Sequence, residues 1–172
     1  MADGEEDKKI RITSFEIPLH KFSKDKRGFS ENFVKKSLER KGYLVFRPEF
    51  LHLDFSDYYP NVKRKYVLLG NLLEKYHPGR YEELRYINHV HHGMPDFLCF
   101  KDGKFLFIEC KLNHEPLLSG QRKTISRLFS MGFPVEIYRL VHPKVRARRM
   151  DEDVITKKRR VIEKQMKLRK RY

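Results

Sequence analysis

The chain has 172 residues, 40% of them hydrophobic, and carries 38 Lys and Arg against 23 Asp and Glu. This composition excludes a disordered chain, and the length allows one domain with a substantial core but not two. The net charge of +15 favours a polyanionic partner such as nucleic acid, although a basic protein of ribosomal type would have a similar composition. No apolar run is long enough to span a bilayer and no signal peptide is recognisable, so no membrane association is expected.

A short strand and a basic loop are expected near the N-terminus. Residues 10–19 alternate in part between apolar and polar side chains, which is typical of an edge strand, and Pro18 favours an end there. The loop that follows contains cations that are candidates for nucleic-acid contacts: Lys24, Lys26 and Arg27.

The first helix is predicted over residues 31–40, with Ser30 as its N-cap and Gly42 as its C-cap. Glu31 occupies the first helical position, where the helix dipole stabilises a carboxylate. That local role explains the residue by itself, but a functional acid is the alternative. Residues 43–47 then form a short apolar segment that predicts a buried strand.

Residues 48–92 are expected to be a helical insertion. Apolar side chains at helical spacing predict a helix over residues 63–76, and a second short helix is predicted over residues 81–90, after the Pro78-Gly79 break. The insertion suits a dimer contact, an arm that clamps a substrate, or plain padding, and the sequence does not choose between them.

Residues 93–111 are typical of two apolar strands joined by a tight turn. Asp102 and Gly103 suit a two-residue hairpin turn, in which both central residues have positive φ. This turn fixes the register of the hairpin and sets Asp96 opposite Glu109, on the same face of the sheet.

A strand turns successive side chains to opposite faces, so Lys111 shares the face of Glu109 while Cys110 points away. Two carboxylates as close as Asp96 and Glu109 repel each other, so one is protonated or a cation lies between them. Oxygen ligands suit Mg²⁺ or Mn²⁺, and a lysine beside the ion suits orientation of water or stabilisation of charge. The alternative is that Asp96 caps a turn and the other two are charges at a strand end.

Histidines and cysteines also lie in this region. His89, His91 and His92 lack the partner ligands of a zinc site, so contacts to phosphate or to the acids, or simple packing, are expected instead. Cys99 and Cys110 share a face of the hairpin without metal-binding spacing, so both are expected to be buried free thiols in a reducing compartment.

After the hairpin, a helix is predicted over residues 120–131 with Ser119 as its cap, followed by a strand over residues 135–141. Strand, helix and strand in succession predict a crossover to a parallel neighbour. Gln121 lies in the first turn of this helix, either as an ordinary exposed residue or as part of a site.

The C-terminal residues 144–172 hold 13 Lys and Arg against four Asp and Glu. Residues 151–171 are predicted to be helical, because Val154, Val161 and Leu168 recur at seven-residue intervals. The helix would lay cations along a nucleic-acid backbone, although a solvated tail or a localisation signal is equally compatible. These cations are Lys157, Lys158, Arg159, Arg160, Arg169, Lys170 and Arg171.

A Pro-Asp pair that ends in Asp96, followed by Glu109-Cys110-Lys111, resembles the signature of the PD-(D/E)xK nucleases. Two branches are most similar, the VRR-NUC domains and the archaeal Holliday-junction resolvases. The helix with Glu31 and the following G-Y-L-V-F-R-P resemble the resolvases, and L-S-G-Q before a helix is similar to the VRR-NUC arrangement.

The resemblance implies an α/β fold with a restriction-endonuclease-like core, in the order αβββαβ, in which helices flank a mixed sheet. It implies metal ligands at Asp96, Glu109 and the backbone carbonyl of Cys110, with Mg²⁺ or Mn²⁺ as cofactor. Glu31 would complete the acidic set, Lys111 would be the catalytic lysine, and Gln121 would face the metal site.

The resemblance covers residues 29–47 and 93–141. Residues 1–143 are therefore expected to form a nuclease domain that contains the helical insertion, and residues 144–172 a basic helical extension. The implied protein is a divalent-metal-dependent DNA endonuclease that hydrolyses phosphodiester bonds. It would select DNA structures such as junctions or flaps in repair or recombination, act as a homodimer, and lie in the cytoplasm with the nucleoid or in the nucleus.

Two alternatives remain at this point. An inactive protein with the nuclease fold would bind nucleic acid through its basic surface without needing a metal. A restriction-type enzyme would instead cut linear duplex at fixed sequences.

Overall fold

A computed structural model describes residues 8–16, 28–52, 59–113, 115–141, 148–155 and 160–167, with residues 8–16, 52, 148–155 and 160–167 described by their backbone. The predicted nucleic-acid contacts Lys24, Lys26 and Arg27 lie outside this part of the chain. So do Lys157, Lys158, Arg159, Arg169, Lys170 and Arg171.

One mixed sheet organises the described chain. Its strands are β1 (Lys8–Glu16), β2 (Leu44–Phe46), β3 (Phe97–Lys101), β4 (Lys104–Leu112), β5 (Val135–Val141), β6 (Arg148–Ile155) and β7 (Arg160–Lys167), in the spatial order β2-β3-β4-β5-β1-β6-β7. The helices are α1 (Phe29–Arg40), α2 (Pro60–Tyr76), α3 (Arg80–Val90) and α4 (Ser119–Ser130), with a 3₁₀ helix at Pro48–His52.

The β3–β4 hairpin has the predicted turn and register. Asp102 has φ 49° and Gly103 has φ 76°, as a two-residue turn of this kind requires. Lys101 pairs with Lys104, and the ladder continues to Phe97 opposite Ile108. Asp96 lies one residue before β3, so it enters the site from the end of the ladder rather than from within it.

The strands β4 and β5 are parallel and are joined through α4, so the predicted crossover is confirmed. Parallel pairing brings the C-terminal end of β4 beside the corresponding part of β5, where Lys111 pairs with Arg139. The start of α4 follows a few residues after the end of β4, so this edge of the sheet collects residues from several elements.

Two hydrophobic clusters pack against the sheet, which confirms an α/β architecture with a mixed sheet. One contains Leu69 of α2 and Ile125 of α4, and the other contains Leu38 of α1. Alternate residues of β3 contribute to each cluster, Leu98 to the first and Cys99 to the second, because successive side chains point to opposite faces.

The predicted C-terminal helix is wrong. Those of its residues that the structure describes lie in β6 and β7, which are antiparallel and pair Val154 with Val161. The β-branched pairs Val154-Ile155 and Val161-Ile162 favour extended backbone, and β6 also pairs with β1, which gives the segment hydrogen-bond partners in the sheet. Arg160, a predicted nucleic-acid contact on that helix, is the first residue of β7.

The first strand and two helix caps also differ from the prediction. β1 is not an edge strand, because β5 pairs with one side of it and β6 with the other. The N-cap of α1 is Gly28, with φ 73°, rather than Ser30. The N-cap of α4 is Leu118 rather than Ser119, and its backbone N–H donates to the Gln121 side chain at 2.9 Å.

The two insertion helices are confirmed, each within three residues of its predicted start.

In the part of the chain that is described, no helix combines the length and the apolar composition needed to cross a bilayer.

Candidate active site

A buried cluster of polar side chains lies where β4 ends and α4 begins. Glu109 and Lys111 are only 2% and 3% exposed, and their side chains approach to 3.1 Å. Gln121 joins them, since its Nε2 donates to Glu109 Oε1 at 2.5 Å and its Oε1 accepts from Lys111 Nζ at 2.9 Å. These three predicted site residues therefore lie in direct contact.

Gln121 has two roles that follow from its place in the helix. Its Oε1 accepts from the Leu118 N–H, which would otherwise be one of the unpaired donors at a helix N-terminus. The same oxygen accepts from Lys111, so capping the helix also fixes the lysine. The sequence predicted the residue but not this double contact.

Asp96 approaches the cluster from the segment before β3. Its Oδ2 accepts the backbone N–H of Cys110 at 2.7 Å, so its carboxylate lies against the residue between Glu109 and Lys111. Burial raises the pKa of Asp96 to about 6, and the charge of Glu31 acts in the same direction, against the opposing effect of the Cys110 hydrogen bond. The carboxylate therefore ionises at a higher pH than a free aspartate unless positive charge is supplied.

Of the two acids, Glu109 has the larger increase in pKa. Burial raises its pKa to about 8, and the charge of Asp96 acts in the same direction, while Lys111 opposes both. Its Oε1 accepts from Gln121, but its Oε2 is buried and has no hydrogen-bond partner among the described residues. A buried carboxylate oxygen without a donor is costly, so this atom suits a ligand that the protein itself does not provide.

Glu31 lies across a small cleft from Asp96. The cleft has a volume of about 180 Å³, and its wall includes Arg47, whose guanidinium is 3.5 Å from Glu31 Oε2. The predicted acid therefore faces the site, but it is paired with a cation. From the sequence, Arg47 was predicted only as the end of a strand. A charged residue directly after a buried apolar run, before Pro48, was the available signal.

The oxygen atoms of this cluster suit a hydrated divalent cation. Among the residues described, no three His, Cys, Asp or Glu side chains are grouped closely enough to hold a metal. Mg²⁺, however, keeps several waters and needs only one or two protein carboxylates. Asp96, the unpartnered Oε2 of Glu109 and the carbonyl of Cys110 fit that requirement, because both acids are held where a cation would relieve their charge.

The two cysteines are thiols, and the Cys110 thiol also hydrogen-bonds to the Asp96 side chain. Cys99 and Cys110 are buried free thiols in the cluster that contains Leu38, on the face of the sheet opposite Glu109, as predicted. Burial raises the pKa of Cys99 to about 12 and raises that of Cys110 as well, so both remain protonated near neutral pH.

A close backbone contact positions Asp96 against α4. Gly93 has φ +106°, and a Cβ there would lie 2.5 Å from the amide nitrogen of Gln121. A Cβ at Gly120 would lie 3.0 Å from the carbonyl oxygen of His92, so two glycines lie at the crossing. Of the predicted histidines, His91 lies with its ring 6.1 Å from that of Tyr86, and the His92 carbonyl accepts from the Thr124 hydroxyl at 3.4 Å.

Arg139 is a site residue that the sequence did not predict. It is 2% exposed and pairs with Lys111 across β4 and β5. Its Nη1 donates to the carbonyl oxygens of Asn113 at 2.7 Å and Glu115 at 3.0 Å. Arg139 therefore fixes the connection between the end of β4 and the start of α4. An arginine within the apolar strand V-E-I-Y-R-L-V was the signal.

Arg139→Met is expected to lower the free energy of unfolding by about 3 kcal/mol, because two carbonyl groups lose a buried, charged donor. Urea unfolding followed by circular dichroism measures the change. Arg122→Met is the matched control, since the Arg122 guanidinium donates to the Leu117 carbonyl from a less buried position and should cost less. Equal losses in the two variants would show that the Arg139 contacts do not hold the connection.

Fold and site together define an α/β protein with a buried carboxylate–lysine–glutamine centre at one edge of a mixed sheet. No protein-family model matches the chain, and no curated protein matches it either. What the centre does is therefore inferred from its own geometry and from the motif that its residues form.

Proposed function

We propose that the protein is a divalent-metal-dependent DNA endonuclease that hydrolyses phosphodiester bonds. The observation that carries this proposal is the buried Oε2 of Glu109, which has no hydrogen-bond partner among the described residues and lies beside a second acid and next to a lysine held by Gln121. A protein that only needed to fold would gain stability by losing such a carboxylate.

The order of elements supports the proposal. α1, β2, β3, β4, α4 and β5 follow one another as in a restriction-endonuclease-like core, with α2 and α3 inserted between β2 and β3. The residues of the PD-(D/E)xK motif come from the end of β4 and from the segment before β3, and Gln121 meets them from α4. Membership of that superfamily is part of this proposal.

Each residue has a role that its contacts allow. Asp96 and Glu109 would hold Mg²⁺ or Mn²⁺ with the Cys110 carbonyl, and Glu31 would complete the acidic set from across the cleft. The ion, when bound, would supply positive charge against the leaving oxygen. Lys111 presents an ammonium group at the same place and can donate a hydrogen bond to a phosphate oxygen or to the attacking water.

Gln121 would act as a positioning residue in this chemistry. Its amide holds Glu109 and Lys111 at a fixed separation, through hydrogen bonds of 2.5 and 2.9 Å. Lys111 thereby loses the freedom of a long side chain before the substrate arrives, which lowers the entropic cost of reaching the reactive arrangement.

Branched or flapped DNA is the substrate we propose, by the resemblance to junction resolvases and VRR-NUC domains. The basic composition of the chain, +15 overall, supports a nucleic-acid partner. The same proposal implies a homodimer, because resolvases act as dimers. It also implies a place in the nucleoid or the nucleus, because the substrate is DNA.

An inactive nucleic-acid-binding protein is the second candidate. It is favoured by the ion pair between Glu109 and Lys111, which partly neutralises the acid without any metal. Such a protein would bind DNA in EDTA as well as in Mg²⁺ and would cut nothing.

The two candidates separate in one experiment. Labelled four-way junction, flap, single-stranded and linear duplex DNA are incubated with the protein in Mg²⁺, Mn²⁺ or EDTA. Metal-dependent cleavage is expected to fall by about a hundredfold or more in Asp96→Asn and in Lys111→Met, while DNA binding in EDTA is retained.

Asp102→Asn is the matched control. It removes one carboxylate from the exposed hairpin turn, where asparagine tolerates the positive φ of 49°, so cleavage should stay at the level of the unsubstituted protein. Binding without cleavage of any substrate in either metal would overturn the endonuclease. Cuts at fixed sequences on linear duplex would instead indicate the restriction-type enzyme.

A further inference from the structure

A groove runs along the outer side of β2. This strand is the last on its side of the described sheet, and the groove beside it has a volume of about 390 Å³. α1 supplies Glu39 to one wall, and α2 supplies the other wall. The side chains that matter for its chemistry are Tyr43, Leu44 and Phe46 from the strand and Arg64, Lys65 and Leu68 from α2.

The groove offers apolar surface to solvent. Leu44 and Leu68 both line the groove, and each is 43% exposed, which is high for a leucine. Flat apolar faces, such as those of nucleobases, can pack on a surface of this kind. The half-buried ring of Tyr43 lies in the same groove and can stack with a base.

Cations gather along the α2 wall. Neither Arg64 nor Lys65 has an acidic side chain within 4 Å in the described chain. Lys65 Nζ lies 5.5 Å from the ring centre of Phe46, above the apolar floor. Burial lowers the pKa of Lys65, and the nearby charges of Lys35 and Arg47 act in the same direction, while the charge of Glu39 opposes them. The groove therefore concentrates positive charge that an anion would neutralise.

The groove connects to the active-site cleft through Arg47. This residue follows β2 directly and lines the cleft with Glu31, while its charge also reaches Lys65. A chain of phosphates that passes the cleft could thus continue along α2, where Arg64 and Lys65 line the groove.

An added protein strand fits the groove less well. β2 has only three residues, so it offers few backbone groups for pairing. The next residue, Arg47, has both its N–H and its carbonyl engaged by the Tyr66 hydroxyl, at 3.0 and 3.2 Å. Strand addition depends on free backbone groups along an edge, whereas a nucleic acid depends on cations and apolar faces.

We infer that this groove binds a single-stranded nucleic-acid arm that extends from the active-site cleft. Arg64 and Lys65 would contact its phosphates, and Leu44, Leu68 and Tyr43 would receive its bases. The inference rests on the proposed function for the identity of the substrate, and it adds a reason for selectivity, because a blunt duplex has no strand to place in the groove.

The test compares binding to a labelled duplex with and without a single-stranded arm, by fluorescence anisotropy in EDTA. The unsubstituted protein is expected to bind the armed duplex more tightly. The double variant Arg64→Gln/Lys65→Gln should bind the armed duplex about tenfold more weakly, and the slope of log affinity against log salt should be smaller by about 1.4, as two single-strand phosphate contacts require. Its affinity for the blunt duplex should not change.

Lys104→Gln/Lys123→Gln is the matched control, since it removes the same two charges from exposed positions outside the groove and should keep the preference for the arm. An unchanged preference in Arg64→Gln/Lys65→Gln, or equal affinity of the unsubstituted protein for both duplexes, would overturn the inference. Cleavage of both duplexes in Mg²⁺ with no effect of the arm would support the endonuclease and contradict binding of the arm in the groove. Arm-dependent binding with no cleavage in any metal would support the groove and contradict the endonuclease.

Discussion

Relative to the unsubstituted protein, Glu109→Gln is expected to gain stability in EDTA as the pH rises. Burial and the charge of Asp96 raise the pKa of Glu109 from 4.5 to about 8. The folded protein thus keeps a proton that the unfolded chain releases above pH 4.5, and the free energy of unfolding falls by about 1.4 kcal/mol per pH unit through this window. Between about pH 5 and pH 8 the loss is about 4 kcal/mol, and glutamine removes it.

Urea unfolding at several pH values in EDTA measures this difference. Asp96 contributes a similar decrease at lower pH, because burial raises its pKa from 3.8 to about 6, and that part should persist in Glu109→Gln. Glu82→Gln removes a carboxylate from an exposed position on α3 and should follow the unsubstituted protein. Parallel curves for Glu109→Gln and the unsubstituted protein would mean that Glu109 is ionised in the folded state without a cation.

Addition of Mg²⁺ extends the same experiment. A cation that binds only the folded protein stabilises it by RT ln(1 + [L]/Kd), which is about 3 kcal/mol at a hundred times Kd. The gain should be larger at pH 8 than at pH 5.5, because ionised carboxylates are the ligands, and it should be much smaller in Glu109→Gln. A gain that is independent of pH and of Glu109 would place the cation elsewhere.

Gly93→Ala is expected to destabilise the fold by about 3 kcal/mol and to reduce cleavage by about a hundredfold. Positive φ of +106° is strained for alanine, and the new Cβ would lie 2.5 Å from the Gln121 amide nitrogen. The nearest atoms to this Cβ, Gln121 N at 2.5 Å and Gly120 C at 2.6 Å, both belong to the backbone, so the start of α4 has to move. Gln121 would then shift away from Glu109 and Lys111, and Asp96 would shift with its own segment.

Gly79→Ala is the matched control for this substitution. Gly79 has φ +75°, and no atom lies within 4 Å of the position that a Cβ would take, so only the backbone strain applies. Thermal unfolding and cleavage assays on both variants separate the two causes: Gly79→Ala should lose about 1 kcal/mol and keep its activity. Equal losses in both variants would show that the crossing of residues 92–93 over α4 is not what positions the site.

The hairpin shows how far local rules reach in this chain. Asp102-Gly103 fixes the turn, the turn fixes the register, and the register places Glu109 and Lys111 on one face and Cys110 on the other. Each step depends on residues that are close in sequence, so the sequence alone was sufficient. The caps were less predictable, because glycine at position 28 and a glutamine side chain at position 121 replaced the expected serines.

The predictions from sequence were wrong for segments whose pairing partners are distant in sequence. Heptad spacing of a few apolar residues was compatible with a helix after residue 150, but pairing with β1, more than a hundred residues earlier, gives that segment a place in the sheet. For the same reason β1 is an inner strand. Local propensity was overridden by backbone hydrogen bonds whose partners the sequence does not identify.

By itself, then, the sequence determined the hairpin, the two insertion helices and the parallel crossover. It also indicated which acids, which lysine and which glutamine lie near one another. Only the tertiary structure decided how these side chains meet: Glu109 with one oxygen unpartnered, Gly93 packed onto α4, and Arg139 bound to the connection that follows β4. The physical reason is that periodicity and turn chemistry act over a few residues. The separations of buried charges are set by the packing of elements that lie far apart along the chain.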